Sequence, residues 1–191
     1  MKRLHPVKID DALYYEKQWS EEFRLRPYYD SVRMRALSRD VKDGMRVLDV
    51  GAGIFGTCQF IAQNTNIKAD LWAIDQSYTA RDIVRKIAPS VTFVLGDVTA
   101  LPFQDGEFDV VVAGEIIEHM EDPAAFAKEL CRVGRSVALS TVDTKCPNAL
   151  KREYPEHLWE FEPTELLGFF SPWGTATYEV VGNYHFIYVH H

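Results

Sequence analysis

The chain predicts an α/β protein built on a doubly wound, mostly parallel seven-stranded sheet that closes with an antiparallel hairpin. Three observations predict it. Residues 47–56, VLDVGAGIFG, are an apolar run that breaks into a D-x-G-x-G-x-x-G turn at Gly51, Gly53 and Gly56. Apolar runs and amphipathic segments then alternate regularly to about residue 141. Four successive apolar runs also end at an acid: Asp49, Asp75, Asp97 and Glu115.

The elements follow in order. Residues 46–50 form the first strand, and 56–65 a helix, TCQFIAQNT at its centre. A strand that stops in a glycine-rich turn at a helix start brings bare backbone close to a ligand. Strands are expected at 70–75, 91–96, 108–114 and 136–141, and helices at 78–88 and 123–133. Asp122-Pro123 marks the start of that last helix, with Asp as cap and Pro in the first turn. This alternation implies right-handed crossovers and parallel pairing. Residues 163–170 read as a short helix, and ATYEVV and HFIYVH flank Gly182-Asn183 as a hairpin. The expected organisation is one domain, 1–191, with an N-terminal helical cap (1–43) over a core (44–191).

Composition sets the class. A chain of 191 residues, 47% of them hydrophobic, can bury one sizeable core. No apolar stretch approaches 18 residues, and MKRLHPVKIDDALYYEKQW has no signal-peptide core, so no membrane partner is expected. Cys58, Cys131 and Cys146 are odd in number and scattered, which suits a reducing compartment, and the expectation is cytoplasmic. A net charge of −7 disfavours nonspecific nucleic-acid binding. Residues 24–46 run against that balance, with seven cations against three carboxylates. That segment is either a face for an anionic substrate or a solvated helix face with mixed salt bridges.

Four strand-end acids near one sheet edge would repel phosphates but suit a cationic, phosphate-free ligand. In this pattern the chain resembles the class I S-adenosylmethionine (SAM)-dependent methyltransferases, over roughly residues 44–141. VLDVGAGIFG is similar to that family's first motif and AIDQS to its ribose-binding segment. LGDVTALPF is similar to the adenine-binding segment, and FDVVVAGEIIEHMEDP to the motif at the fourth strand. The resemblance implies a Rossmann-like methyltransferase fold and SAM as cofactor. It also implies a cofactor set of Asp49, Gly51, Ala52, Gly53, Asp75, Gln76, Asp97, Val98 and Glu115. Asp49 and the Gly51–Gly53 turn would meet the methionine end, Asp75 the ribose hydroxyls, and Asp97 and Val98 the adenine.

Substrate would be met by the cap, which carries Tyr14, Tyr15, Trp19, Phe23, Tyr28 and Tyr29, and by residues 142–162, with Cys146, His157, Trp159 and Phe161. The aromatic residues of the cap are either a substrate wall or the buried stripe of a docked helix. Glu115, Glu118 and His119 stand at i, i+3 and i+4, the spacing that puts three side chains on one face of a helical turn. With His157 they are a candidate set for Mg²⁺ or Mn²⁺. E-x-x-E-H also resembles the ubiquinone-pathway O-methyltransferases and the small-RNA 3′-terminal 2′-O-methyltransferases. His119, His157 and Glu115 are the candidate catalytic residues, the imidazoles as bases. The expected activity is methyl transfer to a small molecule, most simply at a hydroxyl. The alternatives are a metal-dependent 2′-O-methyltransferase acting on an RNA 3′ end and a noncatalytic SAM-binding regulator. Oligomeric state is not legible.

Overall fold

The computed structural model describes residues 2–4, 12–22, 31–143, 145 and 156–191. Phe23, Arg24, Arg26, Tyr28, Tyr29 and Cys146 lie outside the described residues. In chain order the elements are β1 (Lys2–Arg3), α1 (Ala12–Glu22), α2 (Ser31–Leu37), β2 (Arg46–Val50), α3 (Thr57–Asn64), β3 (Asp70–Asp75) and α4 (Tyr78–Ile87). There follow β4 (Thr92–Leu95), β5 (Val110–Gly114), a 3-10 turn (Ile117–His119), α5 (Pro123–Val133) and β6 (Ser136–Val142). The last part holds β7 (Trp159–Glu160), α6 (Pro163–Phe170), a second 3-10 turn (Ser171–Trp173), β8 (Thr175–Val181) and β9 (Tyr184–His190).

The main sheet has seven strands in the order β4-β3-β2-β5-β6-β9-β8. The first five pair parallel, and β9 joins β6 and β8 antiparallel. The architecture expected from the sequence is present, hairpin included. Gly182 has φ +62°, so the two-residue loop opens on a conformation that glycine adopts freely. The chain runs outward from β2 to β4 and returns to β5, so β2 and β5 are neighbours at the switch in strand order. Ligands of open α/β sheets bind beyond the carboxyl ends of the strands at such a switch.

Side chains alternate between two cores, as the pleat requires. Leu48, Val111, Leu139 and Ile187 face α5 and α6, where Phe126, Leu130 and Phe170 are fully buried. Val47, Val112 and Ala138 face the opposite layer with Ile54, Cys58, Ile61 and Val84 from the α3 and α4 side. α2 joins that layer through Leu37, 1% exposed. Asp122 caps α5 by accepting a hydrogen bond from the Ala125 N–H at 3.0 Å, with Pro123 in the first turn. The two-stranded β1–β7 pair has no counterpart in the sequence reading. Lys2 stands opposite Glu160 and Arg3 opposite Trp159, and strands of two residues are too short for any periodicity to announce.

Phe126 is 1% exposed beneath α5. Phe126→Ala should cost about 3–5 kcal/mol, read as a lower urea midpoint at constant slope.

Candidate active site

The glycine-rich turn is held from below by two buried carboxylates. Asp49, 2% exposed, accepts a hydrogen bond from the Cys58 N–H at 2.9 Å at the start of α3. An added Cβ on Gly56 would collide with that carboxylate, which is why glycine stands there. Asp75, 8% exposed, accepts from the Gly53 N–H and the Ser77 N–H, both at 2.9 Å. Gly51 and Gly53 have φ of +69° and +52°. Burial pushes the Asp49 carboxyl up to about 7, against the Cys58 and Thr57 N–H groups and Arg33, which favour its charge. Burial also raises Asp75, while the Ser77 and Gly53 N–H groups oppose it.

Of the other expected cofactor residues, Ala52 is half-buried and Gln76 exposed. One oxygen of the exposed Asp97 accepts from the Thr99 N–H at 2.8 Å and the Thr99 hydroxyl at 2.7 Å, a local turn. Val98 packs on the edge of the core.

Helix α1 lies over this edge and touches three strand ends at once. The Trp19 indole covers Gly53, where an added Cβ would meet the ring at 2.7 Å. Glu16 accepts from the Thr79 N–H at 3.0 Å and from the Tyr78 N–H and Thr79 hydroxyl, at the first turn of α4. The Tyr15 hydroxyl is 3.3 Å from His119 Nδ1. Residues 15, 16 and 19 share a helical face, so one helix reaches the turns after β2, β3 and β5. Trp19 and Tyr15 belong to the aromatic cluster noted in the sequence. Glu16 was not foreseen, because a lone Glu on a helix carries no sign of the helix end it will meet.

The expectation that Glu115, Glu118 and His119 share one helical face is overturned. Glu115 has φ +53°, the one non-glycine residue in the left-handed region among the described residues. Only Ile117–His119 form a turn, of the tighter 3-10 type. The i, i+3, i+4 geometry therefore fails at its first residue. Glu115 forms an ion pair with Arg33 of α2 instead. Arg33 also stands over the Tyr184 ring at 5.4 Å.

Glu118, His119 and His157 do converge, with one ligand-type atom of each within 4.8 Å of the others. All three are buried, Glu118 completely. The segment that carries His157 is fastened to the 3-10 turn by three hydrogen bonds. The Leu158 N–H donates to the Glu118 carbonyl at 2.8 Å, and Trp159 Nε1 donates to the Met120 carbonyl at 2.7 Å. His119 Nδ1 lies 3.1 Å from the Glu156 carbonyl, which makes Nδ1 the protonated nitrogen. Neither oxygen of Glu118 makes a hydrogen bond of good geometry. Burial raises its carboxyl to about 7, opposed by His119 and by the nearby Thr141 hydroxyl and reinforced by Glu115.

Among the described residues, three of the five cations of the basic segment, Arg33, Arg39 and Arg46, form ion pairs within the chain. Arg39 pairs with Asp40 and Glu179, and Arg46 with Asp70 and Glu107.

This is a nucleoside-cofactor type of α/β domain, with a glycine turn and acids at the switch point and a carboxylate–imidazole cluster beside them. Residues 48–138 match the family model of a methyltransferase domain. The 2-methyl-6-phytyl-1,4-hydroquinone methyltransferase of Synechocystis is 36% identical over 119 residues, which is 61% of this chain and 37% of that protein. Ajmaline N-methyltransferase of Rauvolfia serpentina is 35% identical over 104 residues, 51% of this chain and 35% of that one. The chain thus spans little more than a third of the length of these relatives. A SAM-dependent methyltransferase from Aquifex aeolicus superimposes with TM-score 0.65 at 19% identity, covering 90% of this chain and 97% of that one. The [4+2]-cyclase SpnF shares the fold at TM-score 0.60 and 21% identity, over 78% and 58% of the two chains. In its methyltransferase-domain match and in its fold the chain is similar to the class I SAM-dependent methyltransferases.

The raised Asp49 carboxyl has a stability consequence. Its folded value lies above the ordinary one, so between about pH 4 and pH 7 the folded state holds the extra proton, and stability falls as pH rises through that window. Asp49→Asn should flatten that slope, narrowing the difference in unfolding free energy between pH 5 and pH 8 by more than about 1 kcal/mol. Parallel urea titrations of the two proteins measure it.

Proposed function

We propose that the protein transfers a methyl group from SAM to a hydroxyl of a small molecule. The carrying observation is the juxtaposition at one sheet edge of the glycine turn braced by Asp75 and the buried Glu118–His119–His157 cluster.

The residues present fit SAM. Gly51 and Gly53 offer backbone without Cβ, covered by side chains from other elements: Ile116 over Gly51 and Trp19 over Gly53. Both oxygens of Asp75 meet backbone N–H groups and retain lone pairs for ribose hydroxyls. The Arg33–Glu115 pair presents a cation and an anion together, the complement of an amino acid's carboxylate and ammonium. Asp49, Asp75 and Glu115 make this edge acidic, which favours a sulfonium over a phosphate. Bound SAM supplies an activated methyl on a good leaving group. The chain's task is to hold the acceptor in line with it, worth on the order of 7–11 kcal/mol, and to exclude water. A hydroxyl acceptor must also lose its proton. With Nδ1 of His119 directed at the Glu156 carbonyl, Nε2 carries the lone pair that receives it.

The relatives' names support a small acceptor, since each is a methyltransferase named for a small molecule. The internal pairing of Arg33, Arg39 and Arg46 supports it too, because a surface for RNA needs cations turned outward. SpnF argues that the fold alone does not dictate methyl transfer. The acceptor cluster, not the sheet, is what favours catalysis over a purely SAM-binding role.

Asp75→Ala should weaken SAM binding roughly tenfold to a hundredfold, for a charged acceptor worth about 1.5–3 kcal/mol. Calorimetric titration measures it; an unchanged dissociation constant removes Asp75 from the site, and NADH binding as tight as SAM overturns the cofactor assignment. Turnover of methyl-labelled SAM with hydroxylated metabolites against RNA tests the acceptor class, and label appearing only in RNA would overturn it.

A further inference from the structure

We infer that helix α1 is a plug on the glycine turn, latched by Glu16, and that the cofactor binds only when α1 leaves. The identity of that cofactor as SAM rests on the reading above; the latch itself does not.

The plug is Trp19. A glycine turn serves a ligand because its backbone can be approached where other residues carry a Cβ. At Gly53 that approach is taken. A Cβ added there would lie 2.7 Å from Trp19 Cζ2 and 3.0 Å from Cη2. The six-membered edge of the indole thus stands where a ligand atom would have to stand, so a docked Trp19 and a ligand against Gly53 exclude one another. Tyr15 stacks on the indole, with ring centroids 6.1 Å apart and planes 23° apart, and its hydroxyl lies 3.3 Å from His119 Nδ1. The fit is incomplete in one respect. Trp19 Nε1 is buried with no hydrogen-bond partner, a cost that a displaced helix is spared.

The latch is Glu16. Its carboxylate accepts from the Tyr78 N–H, from the Thr79 N–H at 3.0 Å and from the Thr79 hydroxyl. Ser77, the cap of α4, accepts from the Ala80 N–H at 3.0 Å. Ser77 and Glu16 together satisfy the first three amides of α4, donors that have no partner inside the helix and stand at its positive end. This gives α1 a specific polar seat, while Leu13 on the same helix is left 77% exposed. The seat also carries an opposing force. The Asp75 carboxyl is raised by its burial and, as a like charge, by Glu16. Docking therefore crowds a second carboxylate against the end of β3, and undocking relieves it.

Helix and ligand compete for one turn. The apparent affinity of the ligand is its intrinsic affinity scaled by the fraction of molecules with α1 displaced. Weakening the latch must then tighten binding. A helix that closes over a bound ligand and holds it gives the opposite sign.

The test is calorimetric titration of SAM into the full chain and its variants, with amide exchange of Ala12–Glu22 followed by mass spectrometry. Glu16→Ala and Trp19→Ala should each bind SAM at least roughly threefold more tightly than the wild type. Glu16→Gln keeps one acceptor oxygen and should fall between Glu16→Ala and the wild type. Leu13→Ala, at an exposed position of the same helix, should stay within about twofold of the wild type. Exchange in α1 should be at least about tenfold faster in Glu16→Ala, and in the wild type it should quicken when SAM is added. Equal or weaker SAM binding by Glu16→Ala and Glu16→Gln, or slower α1 exchange with SAM present, would overturn the inference. Failure of the cofactor reading looks different. If none of these proteins binds SAM, that reading falls, and the latch is decided by exchange alone: it is overturned if α1 exchanges in Glu16→Ala at the wild-type rate.

Discussion

Backbone N–H groups bound to buried carboxylates hold this edge of the sheet together. Asp49 ties the end of β2 to the first turn of α3, and Asp75 ties the end of β3 both to Gly53 and to the start of α4. A helix N-terminus carries unsatisfied donors and a partial positive charge, so an acid placed there is stabilised. The glycine turn is caught between the two. Its positive φ angles leave no side chain to hold it in place, and the carboxylates do so from beneath. Trp19 packs on Gly53 of that turn and Ile116 on Gly51.

The sheet was legible in the sequence because its signals are local. Val47, Leu48 and Val50 are β-prone and fully buried, the Asp122-Pro123 start is a two-residue signature, and Gly182-Asn183 marks a hairpin. The site was legible where one residue answers to its own strand end, as Asp49 and Asp75 do. It was misread where the outcome depends on a partner far along the chain. The spacing of Glu115, Glu118 and His119 is helical, yet Arg33 draws Glu115 away and the turn tightens to three residues. Nothing in a glutamate announces a left-handed backbone, which tertiary contacts impose at a cost. Glu16 and the β1–β7 pair are the same case, recognisable only once their distant partners are known.

Helix α1 gives the edge a second character. Its Tyr15, Glu16 and Trp19 engage the turns after β5, β3 and β2, the same surface a cofactor would use. A ligand approaching Gly53 must contend with an indole already seated on it. Its apparent affinity is then set both by its own contacts and by the fraction of molecules with α1 displaced. Glu16 makes that displacement electrostatically uneven, since its three hydrogen-bond donors at α4 must find water or ligand oxygens in exchange.

The placement of β9 bears on how the chain acquires its shape. β9 sits between β6 and β8, although β8 precedes it in sequence. Until β9 docks, β6 presents an unpaired edge and β8 has no neighbour in the sheet at all. The β6–β9 ladder joins segments separated by α6 and β8, so its loop must close before any of its hydrogen bonds form. Such late, non-local pairing slows folding and leaves apolar strand edges open to other nascent chains. The hairpin turn at Gly182 counters this, because it lets β8 and β9 zip first and arrive at β6 as one unit.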